Sequence, residues 1–223
     1  MTNLRFITRS SLVGLLLAGS VAVLPAHAES ESVKAPAAAV QPQEQKAPEQ
    51  VVKDTVNEVI TNIQTHRALY KKDSAALHQM IEDVLVPTLH VKRMAKLILG
   101  KRVASQSSDQ QIEAFAEEFK NSLIKTYAAA LLEYTGKEEV VYDEVKYKPS
   151  GDIAMVKGAL VTADGQKYNI VVHMSNRNDT SWRAYNLEAA GINVLSTYRS
   201  TYSAVLQKKG LDGLIADLKE KNS

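Results

Sequence analysis

The run WRAYNLEAAGINVLSTYRSTY spans Trp182 to Tyr202 and changes its period halfway. Trp182 to Glu188 alternates, the mark of a strand with one buried face. From Val194 onward Val194, Leu195 and Tyr198 share one helical stripe. Gly191 stands at the junction, where a tight turn needs backbone freedom. Apolar and tyrosine surface lies on both sides of this one junction. A packed core accounts for it, and so does a cavity for an apolar ligand.

Upstream of the junction the period is two. VVYDEVKYK, DIAMVKGALVTA and KYNIVVHMS each alternate and are rich in β-formers. Asp164-Gly165 marks a tight hairpin between the second and third, and Asn176 to Thr180 is a polar loop before the fourth. The expectation is a four-stranded antiparallel meander. Earlier still the period is helical. Val52, Val56, Val59, Ile60 and Ile63 make one stripe, and Asp73 or Ser74 caps a second helix ended by Pro87. HVKRMAKLILG is a third helix, closed by Gly100. Ser108 with Gln111 reads as a capping box opening the longest helix, which carries Phe115, Phe119, Tyr127 and Leu131 and stops at Gly136. Two helices end the chain, about Gly191 to Lys209 and Leu211 to Lys221, with Gly210 between them. Helices, then strands, then helices give an α+β domain of about six helices wrapped on a sheet.

The chain has 223 residues, enough for one domain with a real core. Arg5 and Arg9, the apolar run Leu12 to Leu24 and Ala26-His27-Ala28 fit a signal peptide cleaved after Ala28. The run is too short to span a bilayer, which takes about 20 residues. Removing residues 1–28 takes two Arg and no acid, so 27 Lys+Arg against 25 Asp+Glu becomes 25 against 25. A neutral chain has no overall field for nucleic acid. Glu29 to Gln50, rich in Ala, Pro, Gln and Glu, is read as a flexible tether. The folded domain is expected over 51–223. The absence of cysteine excludes disulfides and a lipid-modified N-terminal cysteine.

Catalytic signatures are missing. His66, His78, His90 and His173 are scattered without metal spacing, and there is no nucleophile elbow, P-loop or dinucleotide fingerprint. The expectation is a protein that is not an enzyme and needs no cofactor and no metal. Lys92, Arg93, Lys96, Lys101 and Arg102 cluster on one amphipathic helix, which serves as a solvated face or meets head groups or an acidic partner.

Four segments together carry a resemblance: VPTLHVKRMAKLILGK (86–101), EEFKNSLIKTYAAALLEYTG (117–136), WRAYNLEAAGINVLSTYRS (182–200) and KGLDGLIADLK (209–219). They resemble the MlaC, or toluene-tolerance, family, the periplasmic phospholipid carriers of the pathway that maintains outer-membrane lipid asymmetry. Asn186 departs from the Asp common there, and the residues near Arg102 lack the usual Tyr or Trp. The resemblance implies an NTF2-like, helix-wrapped antiparallel sheet with a deep apolar cavity for glycerophospholipid chains. It implies a periplasmic location. The partners it implies are an outer-membrane lipoprotein–porin complex and an inner-membrane ABC transporter complex with a periplasmic substrate-binding component.

On that reading the lipid-binding candidates are Leu97, Ile98, Tyr127, Leu131, Ile170, Val172, Met174, Tyr185, Leu187, Val194, Leu195 and Tyr198. Lys92, Arg93 and Lys96 are the candidates for head-group or partner contact. Periodicity alone leaves open whether the apolar set lines a cavity or fills a core. A ligand-free periplasmic interaction module is therefore the competing reading.

Overall fold

The computed structural model describes residues 45–177 and 179–223. The signal-peptide stretch and most of the tether lie outside them. Five α-helices and a five-stranded sheet make up the described chain. Helix α1 (Pro48–Tyr70) starts on a proline, whose fixed φ suits a first helical position. The last three residues read as tether, 48–50, therefore belong to the helix. Asp73 caps α2 (Ser74–Val84) by accepting from the Ala75 and Ala76 amides. A 3₁₀ turn at Val86–Thr88 leads to α3 (Val91–Gln106), which breaks at Gly100 and then resumes. Helix α4 (Asp109–Leu131) opens on a capping box, with Ser108 and Gln111 bonded both ways at 3.0 and 3.1 Å.

The sheet follows as β1 (Glu139–Tyr147), β2 (Ile153–Val161), β3 (Lys167–Ser175), β4 (Arg183–Ala189) and β5 (Ile192–Asn193). All neighbours pair antiparallel in chain order. Five strands replace the expected four. After Gly191 turns with φ of 81°, Ile192 and Asn193 pair back onto Ala189 and Glu188 before any helix begins. Asn193 then caps α5 (Val194–Asn222), its side-chain oxygen accepting from the Ser196 amide at 3.0 Å. The two closing helices run as this one element, bent at Gly210, where φ 69° and ψ −172° interrupt the helical ladder.

Helix α4 is the organising element because it packs on two sides. Phe115 and Phe119 join Ile98, Tyr198, Tyr202 and Leu214 in a buried cluster with α3 and α5. Ile124 and Ala128 join Ile63, Leu77 and Ile81 in a second cluster with α1 and α2. A third cluster sits on the sheet, where Ala154, Val156 and Met174 meet Trp182 and the start of α1. The first cluster is dry enough that burial pushes the Tyr202 phenol up to about 12. The Arg67 guanidinium donates to the carbonyls of Leu132 and Tyr134, which fastens α1 to the end of α4.

Gly158 shows how tightly the sheet is drawn. A β-carbon there would overlap the Val141 carbonyl oxygen of β1, next to the irregular pairing between Tyr142 and Val145. Gly158→Ala is expected to cost about 1–3 kcal/mol, because the clash is with backbone and strand pairing must open. Chemical denaturation of the variant checks this. A cost under about 0.5 kcal/mol would show that β1 is free to shift.

Candidate functional site: an apolar pocket

Between α1, α4 and one face of the sheet lies a pocket of about 660 Å³. That volume falls within the range of small-ligand sites, roughly 300–1,000 Å³. Its walls come from three periodicities. Helix α1 supplies Val52, Val56, Val59 and Ile60, which lie on one side of a 3.6-residue helix. Helix α4 supplies Leu123, Ile124, Tyr127 and Leu131. The strands supply alternate residues, and register puts them in rows: Val156 faces Val172 and Val172 faces Leu187, while Gly158 faces Ile170. Leu85, Val86, Leu89 and Met94 add a further wall. That segment is docked by Leu89 bridging to Ala184, with the His90 amide donating to the Ala184 carbonyl at 2.7 Å.

Solvent exposure locates the mouth. Most lining residues are buried or half-buried, but Tyr127 is 44%, Leu187 38% and Ile192 58% exposed. The opening therefore lies between the second half of α4 and the β4–β5 turn.

The wall is chemically quiet. The Thr55 and Thr88 hydroxyls donate to the carbonyls of Val51 and Leu85, both at 2.7 Å. The Asn186 side-chain oxygen accepts from the Leu195 amide at 3.2 Å. Lys120 touches the pocket, but its ammonium is held by Glu117 at 2.8 Å and Glu82 at 2.9 Å. Burial acts to lower its pKa, and these two hydrogen bonds outweigh it and hold the amine above its ordinary value. The Tyr142 hydroxyl is buried without a partner, and burial raises its pKa. No group of three or more metal-ligating side chains occurs among the described residues.

Of the residues singled out from sequence, Tyr127, Leu131, Ile170, Val172, Met174, Leu187 and Val194 line this pocket. Five others do not, and each has a reason. Ile98 and Tyr198 are buried in the α3–α4–α5 cluster, and Leu195 packs against it. At Leu195 and Tyr198 the stripe of α5 faces helices α3 and α4, while Val194 at its start reaches the pocket. Leu97 is half-buried outside the pocket, its carbonyl accepting from Arg199. Tyr185 is displaced by a bulge: pairing steps from Met174–Ala184 to His173–Asn186, leaving Tyr185 as the extra residue. Its ring carries the Arg93 guanidinium at 4.4 Å and lies 6.0 Å from the His173 ring.

The basic trio is also divided. Lys92 is paired with Glu113 at 2.7 Å and Asp109 at 3.6 Å. Arg93 covers Tyr185 and donates to the Ser175 hydroxyl at 3.2 Å. Lys96 is exposed and has no ion pair among the described residues. The wall that sequence reading missed is α1. Its apolar stripe is visible as a stripe, but periodicity does not say what stands opposite.

Comparison with known proteins agrees with this architecture. A family model described as MlaC protein matches residues 53–220. The "Toluene tolerance protein ttg2D" of Pseudomonas putida is 25% identical over 167 residues, 75% of this chain and 76% of that one. The "Intermembrane phospholipid transport system binding protein MlaC" of Haemophilus influenzae is 21% identical over 179 residues, 79% of this chain and 83% of that one. A solved structure from Ralstonia solanacearum, described as a phospholipid-binding protein in complex with a phospholipid, superposes with a TM-score of 0.71. It is 24% identical and covers 79% of this chain and 97% of its own. That likeness establishes a shared fold.

Proposed function

The chain belongs to the MlaC family, and from that premise we propose that it is a periplasmic carrier of glycerophospholipid. In this reading the helix-wrapped sheet is NTF2-like, and the pocket between α1, α4 and the sheet takes the acyl chains. The head group stays at the mouth beside Tyr127, Leu187 and Ile192. The carrier moves lipid between outer and inner membranes and so maintains outer-membrane asymmetry. It exchanges with an outer-membrane lipoprotein–porin complex and with an inner-membrane ABC transporter complex through its periplasmic substrate-binding component.

One observation carries the reading. Val52, Val56, Val59 and Ile60 point their stripe into the domain, yet each is only half-buried by protein. Ile63, one turn further on the same helix and on the same pocket wall, is 1% exposed because it lies deeper, against the α1–α2–α4 cluster. A hydrocarbon ligand would complete the surroundings of the other four.

Magnitudes then set the mechanism. Each buried CH₂ contributes about 0.8 kcal/mol, so two acyl chains represent on the order of 20 kcal/mol of transfer from water. A bilayer offers the chains nearly the same gain. Exchange between carrier and membrane is therefore close to balance, while free lipid in water is strongly disfavoured. The protein lowers the barrier to transfer and breaks no bond. Direction comes from an external source of free energy, for which the transporter's ATP hydrolysis is the candidate.

The test is native mass spectrometry of the chain purified from a Gram-negative periplasm, with lipid extraction of the same sample. An adduct of diacyl-phospholipid mass is expected. Bare protein that also takes up no lipid from vesicles would overturn the proposal and favour a ligand-free interaction module.

A further inference from the structure

Charge is unevenly placed on this molecule. From residue 45 onward the chain holds 24 Lys+Arg and 22 Asp+Glu. Five of those cations fall in α3 and three in the first part of α5, residues 194–209, and neither segment contains a single acid. The rest therefore holds sixteen cations against twenty-two acids. The two basic segments are neighbours: Ala95, Ile98 and Leu99 share a core cluster with Tyr198 and Tyr202, and Arg199 donates to the carbonyls of Leu97 and Ile98. Counted by segment, these two stretches carry about +8 and the other residues from 45 onward −6.

Some of this charge is already used. Lys92 is bound by Glu113, Lys209 is bound by Asp217, and Arg93 covers Tyr185. Lys96, Lys101, Arg102 and Lys208 are exposed without an ion pair among the described residues. Between the cations, the exposed positions of α5 are uncharged: Ser196, Thr197, Ser200, Thr201, Ala204 and Gln207. The same helix starts at the pocket mouth, directly after the exposed Ile192, with Leu187 and Tyr127 on the same rim. Free cations and large apolar side chains therefore belong to one helix pair and to the rim from which it starts.

We propose that the α3–α5 face is a docking surface for an anionic phospholipid bilayer. This rests on the carrier reading and extends it to how the mouth meets the lipid's source. Basic residues gain from the surface potential of anionic head groups, and exposed apolar side chains gain by entering the interfacial layer. The unpaired cations are drawn to the anionic surface first, so the basic face leads. The rim then sits at head-group depth, and a chain passes from bilayer to pocket without crossing water.

The test is co-sedimentation of the full mature chain with vesicles. One set is phosphatidylcholine alone, and the other mixes in phosphatidylglycerol. Binding to the mixed vesicles only is expected, and it weakens as salt shortens the screening length. Each lost cation is expected to cost about fivefold, so K96Q/K101Q/R102Q is expected to weaken binding about a hundredfold. Ile192→Asp is expected to weaken binding even at high salt. Equal partition onto both vesicle types, no partition onto either, or a triple variant that binds like the parent would each overturn the proposal. An acidic protein as the true occupant of this face would appear as the second of these outcomes. The carrier reading is decided separately, by whether lipid co-purifies with the parent chain and with the triple variant, whose three positions lie outside the pocket.

Discussion

Phe119→Ala is expected to cost about 3–5 kcal/mol of folding stability and to lower the melting temperature by about 10 °C. The ring is fully buried, packs edge-on to Tyr198 at 5.1 Å between centroids and stacks on Phe115 at 6.2 Å. Protein surrounds it on every side, so its removal leaves a cavity that three helices cannot close. Leu131→Ala is the control. It lies on the same helix but faces the pocket, where part of its surroundings is not protein. Its cost is expected to stay near 1–2 kcal/mol, the transfer of a few half-buried carbons without a new cavity. Thermal melts of both variants by circular dichroism decide the matter. Equal costs would mean that the α1–α4 space behaves as ordinary core, and the carrier proposal would lose its physical support.

Val172→Glu is expected to abolish lipid retention while leaving the fold in place. Val172 sits mid-sheet, opposite Val156 on one neighbour strand and Leu187 on the other, and is half-buried on the pocket wall. In the lipid-free domain a carboxylate there can stay hydrated through the mouth. With acyl chains beside it, that hydration is lost, at a cost of several kcal/mol. Lipid affinity is therefore expected to fall by at least about a hundredfold, which is about 2.8 kcal/mol. Leu195→Asp makes a useful contrast. Leu195 packs against the α3–α4–α5 cluster, so its variant is expected to lose stability directly. Lipid extraction and circular dichroism of the two variants separate the effects. A folded Val172→Glu protein that keeps parent levels of lipid would place the chains elsewhere.

Local chemistry made most of the fold legible in the sequence. The Ser108–Gln111 box, the Asp73 cap and the Asp164-Gly165 turn each specify a boundary through neighbours close in the chain. The misread elements depend on something distant. β5 is two residues long and exists only because Ala189 and Glu188 offer partners. The bulge that removes Tyr185 from the pocket face is a mismatch between two strands, invisible in either one. Lys92 belongs to a cluster of cations on its own helix, and its partner is Glu113, twenty-one residues on. The pocket was half legible for the same reason. Strand alternation places Ile170, Val172 and Met174 on one wall, but of the α5 candidates only Val194 stands opposite, and α1, absent from the candidate set, supplies much of the facing wall. Both helices carry aliphatic stripes, and choosing between them requires knowing which one crosses the sheet.

The four half-covered residues of α1 also bear on how the domain responds to heat. Their hydrocarbon stays in contact with water after the lipid-free chain has folded, so unfolding uncovers less new apolar area than in a fully packed domain of equal length. The heat-capacity change of unfolding scales with that area, and the stability curve of the lipid-free form is correspondingly flatter. On the carrier proposal, a bound acyl chain would restore the missing area and release it again when the domain melts. Cargo and scaffold would then unfold as a single thermodynamic body, and the domain would resist heat best when loaded.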